Sequence, residues 1–337
     1  MPPIVSVTLP FFGLVLCGYL AARQGALPAS AIPGLNAFVL FFALPCMLFR
    51  FGQQLPPERL FDPVLAGIYL AAALLMVALS IALTWARSPG AAGVSLRDAG
   101  FGALVAAFPN TGFMGVPLLV ALIGPAAAGP AIATILIDLI ITSTLCIALA
   151  EALPRERAGD DGWHEGGGAG GARAAALRSL RGALANPLPW AILLGAAASV
   201  AGVGLPGAAG DIVRMLADAA SPVALFTIGA VLWRAGAHAH GRTPPGRYLP
   251  VAALKLLLHP LLVLALGILA RAAGAEVSAF GLTVIVLVAA LPSASNVSML
   301  AERYGADNGR IARIILASTV AAFVTFTGAA ALFVPGG

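Results

Sequence analysis

Charge is scarce in this chain. Only 10% of its 337 residues are Asp, Glu, Lys or Arg, whereas 60% are hydrophobic. With a mean hydropathy of +0.97, that balance excludes an ordinary soluble domain. Cysteine is nearly absent. Cys17, Cys46 and Cys146 each lie inside an apolar run, which excludes a disulfide framework or a thiolate metal centre and leaves them as small packing residues. No HExxH motif, paired catalytic aspartates or supported Ser/His spacing occurs, so nothing points to an enzyme. No basic cluster precedes the first apolar run. "MPPIVSVTLPFF" carries no positive charge and Arg23 follows the run instead, so that segment reads as a retained span and not as a cleaved leader.

What is present is apolar length. Runs near 4–22, 34–52, 63–86, 98–123, 129–152, 187–203, 212–233, 248–270, 277–301 and 310–333 are each long enough to cross a hydrocarbon core about 30 Å thick. The expected fold class is an all-α polytopic membrane protein with ten spans. Fourteen arginines fall in the loops after odd-numbered spans and only four, Arg50, Arg59, Arg214 and Arg271, in those after even-numbered ones. Lys and Arg are retained on the cytoplasmic side, so both termini are expected outside the cytoplasm of a cell (inner) membrane. The net charge of +5 is then a topology signal and suggests no nucleic-acid partner.

One hydrophilic, Gly-rich stretch, residues 154–182, interrupts the pattern and reads as an unstructured cytoplasmic linker. It divides the chain into residues 1–152, a linker at 153–185, and residues 186–337, with five spans on each side. "ALPCMLFRFG" (43–52) and "ASPVALFTIG" (220–229) agree at five of ten positions. "FPNTGFMGVPLL" (108–119) has its counterpart in "LPSASNVSMLAE" (291–302), with Pro109 opposite Pro292. An offset of five spans inverts the second copy, so two inverted five-helix repeats are expected.

The fourth and ninth runs carry residues that oppose a continuous helix. Pro109, Asn110, Thr111, Gly112, Gly115 and Pro117 lie in one, and Pro292, Ser293, Ser295, Asn296 and Ser298 in the other. Proline removes a backbone donor and glycine weakens the helix. Unwound backbone facing lipid would leave polar groups unmet, at several kcal/mol each. Both breaks should therefore face protein or water, where half-helix ends can hold charged solutes. A single break of this kind is ordinarily a proline kink with hydroxyls bonded to their own helix. Two breaks at matching positions point to a solute site, with Pro109, Asn110, Thr111, Gly112, Pro292, Ser293, Ser295 and Asn296 as candidate binding residues. Ionisable groups within the spans add Asp138, a candidate for substrate contact and proton coupling or a neutral structural aspartate, and Lys255 and His259, four apart on one helix face. Lys255 lies in the first third of its run, within reach of the interface by snorkelling. His259 reads either as a packing histidine or as a proton relay.

The stretches "FVLFFALPCMLF", "FPNTGFMGVPLL", "NPLPWAILLG", "DAASPVALFTIGAVL", "LKLLLHPLL" and "AALPSASNVSMLAERYG", taken in order, resemble the auxin efflux carrier family, especially its bacterial members and more distantly the plant PIN-FORMED carriers. The resemblance implies a ten-helix fold shared with bile acid:sodium symporters, with broken helices 4 and 9 crossing near the bilayer centre. It implies a scaffold of helices 1, 2, 6 and 7 and a moving transport domain of helices 3–5 and 8–10. By position it places Pro109, Asn110, Pro292 and Asn296 on the crossover and Asp138 beside the substrate. It implies secondary transport of small organic anions, auxin-like or dicarboxylates such as malate or malonate, by elevator-type alternating access, and a homodimer. No cofactor is expected, and a proton or a sodium ion is the candidate coupling ion. A sodium-coupled symporter, an uncoupled uniporter and a non-transporting ligand sensor are the alternatives.

Overall fold

The computed structural model describes residues 2–56, 61–85, 94–152, 169–237 and 243–334. The described residues form helices joined by short turns, with no strand beyond isolated bridges. In chain order they are α1 (Pro2–Arg23), α2 (Ala29–Gln54), α3 (Pro63–Thr84), α4 (Leu96–Ala107), α5 (Thr111–Ile123), α6 (Pro125–Ala150), α7 (Ala169–Ala185), α8 (Pro187–Val200), α9 (Gly207–Ala237), α10 (Leu249–Ala272), α11 (Ala279–Ala290), α12 (Asn296–Arg303) and α13 (Asn308–Phe333). Seven of these, α1, α2, α3, α6, α9, α10 and α13, are long and apolar enough to cross a membrane. An eighth arises if α7 and α8, bent by 48° at Asn186, are taken as one span.

Capping side chains set several helix starts, satisfying first-turn amides that have no intrahelical acceptor. Asp62 accepts from Val64 and Leu65, Ser95 from Asp98, Asn186 from Leu188, Ser278 from Gly281 and Asp307 from Arg310. Inside the helices four π-helical turns occur, at Val39–Ala43, Thr111–Gly115, Asp138–Thr142 and Leu254–Leu258. Three of them end two residues before a proline, Pro45, Pro117 or Pro260. A proline cannot donate to the preceding turn and crowds its carbonyl, and widening that turn relieves both problems. The fourth is closed by a side chain, with Ser143 Oγ donating to the Asp138 carbonyl at 2.7 Å. Wide turns of this kind are frequent at functional sites. Three of the four begin at or next to a candidate residue, Thr111, Asp138 or Lys255.

Packing falls into two sets of contacts. α1 lies along α9, and α8 along the C-terminal half of α2, and both pairs approach as closely as backbones allow. A Cβ on Gly18 would collide with the Phe226 carbonyl and one on Gly229 with that of Val15. In the second pair a Cβ on Gly195 would collide with the Phe49 carbonyl and one on Gly52 would press on that of Ile192. Close approach of this kind holds helices together where lipid offers no hydrophobic drive. The other set joins α3, α4, α6, α10, α11 and α13. In it α4 is buried from Ala99 to Ala107 and α11 from Val284 to Ala290, so both half-helices run through protein and not along lipid.

Two expectations need correction. The Gly-rich linker lies outside the described residues over 153–168, but its remainder is helical as α7 and not unstructured. Its segment "ARAAALRSLRGALA" is rich in strong helix formers, and a stripe of Ala175, Ser179 and Ala183 is buried against α6. Arg310, which the loop count treats as a cytoplasmic loop charge, is 1% exposed. It sits in the first turn of α13, where Nε donates to the Arg247 carbonyl and one terminal nitrogen to the Asp98 carbonyl, both at 2.8 Å. It ties α4 and the start of α10 to α13.

Candidate functional site

The two broken stretches meet. After Ala107 the chain leaves the helix through Phe108, Pro109 and Asn110, and after Ala290 it does so through Leu291 to Ser295. Pro109 and Ser293 form an antiparallel bridge. The Asn110 amide donates to the Pro292 carbonyl at 2.8 Å, and the Ala294 amide donates to the Phe108 carbonyl at 3.0 Å. Each break thus satisfies backbone groups that the other has freed, as burial in an apolar protein demands. The Asn110 carbonyl accepts from Met114 and Gly115, which starts α5. The Ser293 amide donates to Ser318 Oγ of α13 at 3.2 Å.

Backbone pairing leaves side-chain polarity over. Asn110 is 3% exposed and Thr111 and Ser293 are fully buried. Thr111 Oγ1, Ser293 Oγ and Asn296 Oδ1 are buried with no hydrogen-bond partner among the described residues. Groups left this way cost stability unless something binds them. Ser295 and Asn296 line a cavity of about 950 Å³. Its other walls come from the N-terminal half of α2 (Ile32, Asn36, Leu40), the end of α9 (Arg234), and α12 and α13 (Arg303, Asn308). A second cavity of about 380 Å³ lies between the C-terminal half of α2, the N-terminal half of α9 and α5, with Pro117 and Val120 in its wall. Arg50 and Asp218 face each other across it in a 2.9 Å ion pair.

Asp138, Lys255 and His259 are all 0% exposed, and none of them lines either cavity. They form a separate buried cluster with Tyr69, which the sequence reading missed. The Tyr69 hydroxyl donates to Asp138 Oδ2 at 2.7 Å and Thr142 Oγ1 to Oδ1 at 3.1 Å. Lys255 Nζ donates to the Ala289 carbonyl at 2.6 Å and lies 3.1 Å from His259 Nδ1. The Tyr69 and His259 rings, 5.8 Å between centroids, join the two pairs. Lys255 therefore does not snorkel. Its ammonium turns inward to the last turn of α11, immediately before the break. One signal could have found Tyr69, since it is the only side chain with a polar tip in the first half of its run, "PVLAGIYLAAA". No sequence signal marked Ser318, a serine within an apolar helix like several others.

Crossed breaks joined through their backbones, the unsatisfied Asn296 beside a cavity and a buried ionisable cluster behind them suit passage of a solute better than chemistry on one. Comparison with known proteins decides the family. The profile of a family described as "Membrane transport protein" matches residues 3–165 and 171–329. The chain belongs to the membrane transport protein family. It is 28% identical over 330 residues to a Rhizobium meliloti protein named "Putative malonate transporter", which covers 97% of this chain and 95% of that one. It is 26% identical over 316 residues to the "Uncharacterized transporter YfdV" of Escherichia coli, 94% of this chain and 93% of that one. Over 149 residues, 44% of this chain and 41% of the relative, it is 27% identical to "Auxin efflux carrier component 8" of Arabidopsis thaliana. The likeness to auxin efflux carriers drawn from the six motifs is thus shown, and the members named here are transporters, not enzymes.

Proposed function

We propose that this membrane transport protein is a secondary transporter of small carboxylates that works by elevator-type alternating access. The observation that carries the reading is the backbone pairing of the two breaks, with Thr111 and Ser293 presenting unsatisfied hydroxyls there that can donate. A carboxylate accepts several hydrogen bonds at once, and the positive N-terminal ends of α5 and α12 begin at these breaks. The carboxylate would be held by Asn110, Thr111, Ser293, Ser295 and Asn296, against Pro109, Gly112 and Pro292. The names of the malonate and auxin relatives point to the same substrate class.

Ten spans in two inverted repeats are part of this reading. Counting α4 with α5, α11 with α12 and α8 alone as spans brings the seven long helices to ten. Gly18 and Gly195 are 177 residues apart, as are Gly52 and Gly229, and these four residues make the two close backbone approaches. A twofold exchange of α1 with α8 and of α2 with α9 carries one contact onto the other. The same exchange, with α5 swapped for α12, carries the α2, α9 and α12 walls of the large cavity onto the α9, α2 and α5 walls of the small one, while the α13 wall has no counterpart there. Alternating access is then a trade of two related cavities, with α1, α2, α8 and α9 as scaffold and the other spans moving. The arginine asymmetry directs the large cavity, which ends at Arg234 and Arg303, to the cytoplasm and both termini outside the cell membrane. The homodimer implied by the plant carriers belongs to this reading as an expectation.

Asp138 is the proposed proton-coupling residue. As a carboxylate in the substrate pocket it would repel an anion, but the cavity walls do not include it. Its partners are hydroxyls, so it can hold or release a proton apart from the substrate. The deciding experiment is counterflow of labelled malonate in liposomes containing purified protein. Exchange that falls at least tenfold in Asn296→Ala supports the reading, and saturable binding with no flux would replace it with a ligand sensor.

A further inference from the structure

The C-terminal end of α11 has lost its usual partners. Ala289 would ordinarily accept from the Ser293 amide and Ala290 from the Ala294 amide. Here the Ser293 amide turns to Ser318 Oγ and the Ala294 amide to the Phe108 carbonyl. The last carbonyls of a helix carry the negative end of its dipole, equivalent to about half an elementary charge. In transporters with discontinuous helices such an end is where a small cation settles. In this chain a side chain occupies that position. The π turn at Leu254–Leu258, ahead of Pro260, delivers Lys255 Nζ to 2.6 Å from the Ala289 carbonyl. His259, one turn on, places Nδ1 at 3.1 Å from the same nitrogen. With Nδ1 accepting, the ring carries its hydrogen on Nε2, which has no partner among the described residues. From the neighbouring helices Tyr69 on α3 packs on the His259 ring, and Asp138 on α6 is bonded to Tyr69. Lys255 and Asp138 thus belong to one buried cluster, linked through His259 and Tyr69.

We propose that the Lys255 ammonium is a tethered cation at the end of α11, held by the Ala289 carbonyl and His259 Nδ1, in the place a diffusible alkali cation would otherwise take. The carrier therefore needs no sodium. This deepens the transport reading by naming its ion chemistry, yet its test reads stability and not flux. Absence of malonate exchange would sink the transport reading and leave this one standing.

The experiment compares thermal unfolding of the purified full chain in sodium chloride and in choline chloride at equal ionic strength. The wild type should unfold at the same temperature in both, and a saturable, sodium-specific rise overturns the proposal. Lys255→Ala should unfold at a lower temperature in choline chloride, with sodium or methylammonium chloride raising the midpoint by at least about 2 °C. If the variant cannot be prepared in choline, recovery of folded protein with methylammonium or sodium is the same readout. Equal behaviour in all three salts, or recovery in none, overturns the claim that a cation belongs at this helix end.

Discussion

Replacing Tyr69 with Phe removes one oxygen and leaves the ring, so packing against His259 is retained. What is lost is the 2.7 Å bond to Asp138 Oδ2 in a site with no exposure. Oδ2 then keeps no donor among the described residues, while Oδ1 retains the longer 3.1 Å bond from Thr142. A hydrogen bond to an ionised group contributes about 1.5–3 kcal/mol and one between neutral groups about 0.5–1.5 kcal/mol. Tyr69→Phe should therefore cost about 2 kcal/mol if Asp138 is a carboxylate and about 1 kcal/mol if it carries a proton. Thr142→Val, which keeps the shape, should cost less because its bond is longer. The assay is reversible unfolding in mixed micelles, run as a double-mutant cycle with Asp138→Asn. The coupling energy should be at least about 0.5 kcal/mol, the range for residues in direct contact. Additive single costs, or Thr142→Val costing more than Tyr69→Phe, would refute the assignment of Tyr69 as the principal partner of Asp138.

Four further outcomes follow from the same geometry. Asp138→Asn should make malonate uptake insensitive to an imposed pH gradient, and retained sensitivity would move proton coupling elsewhere. Ser318→Ala strands the Ser293 amide and should cost about 1–3 kcal/mol in unfolding measurements, the penalty for an unmet buried donor. Gly18→Ala and Gly195→Ala each drive a methyl into a carbonyl, so both should lose about 1–3 kcal/mol, the usual range for overpacking; a large loss in only one would speak against equivalent contacts. Cysteines at positions 50 and 120, on α2 and α5 in the walls of the small cavity, joined by a reducible crosslinker, should arrest exchange until the link is reduced, and full activity in the crosslinked state would show that the small cavity need not open.

Much of the architecture was open to reading in one dimension. Apolar length is a local property set by bilayer thickness, so every run had a helix in or near its place, although the fourth and ninth arrived as halves. Proline and glycine act on their own turn, so the breaks at Pro109 and Pro292 were visible before any coordinates. The π turns followed a local rule too, since Pro45, Pro117 and Pro260 each lie two residues beyond one. The helicity of α7 was legible in its alanines and arginines, but the glycines before it carried more weight in the reading.

Identity and spacing, then, settled that this chain enters a membrane, where its helices lie, and at which two places they fail, because each of these depends on neighbours within a few residues. Tertiary structure alone decided that the two failures bind each other through Asn110 and Pro292, that Lys255 turns in to Ala289 instead of out to water, that Tyr69 meets Asp138, and that Arg310 is buried. Those choices belong to pairs of residues distant in the chain. In a medium without water each buried donor must find whatever acceptor packing brings within reach, and no single span records which one that will be.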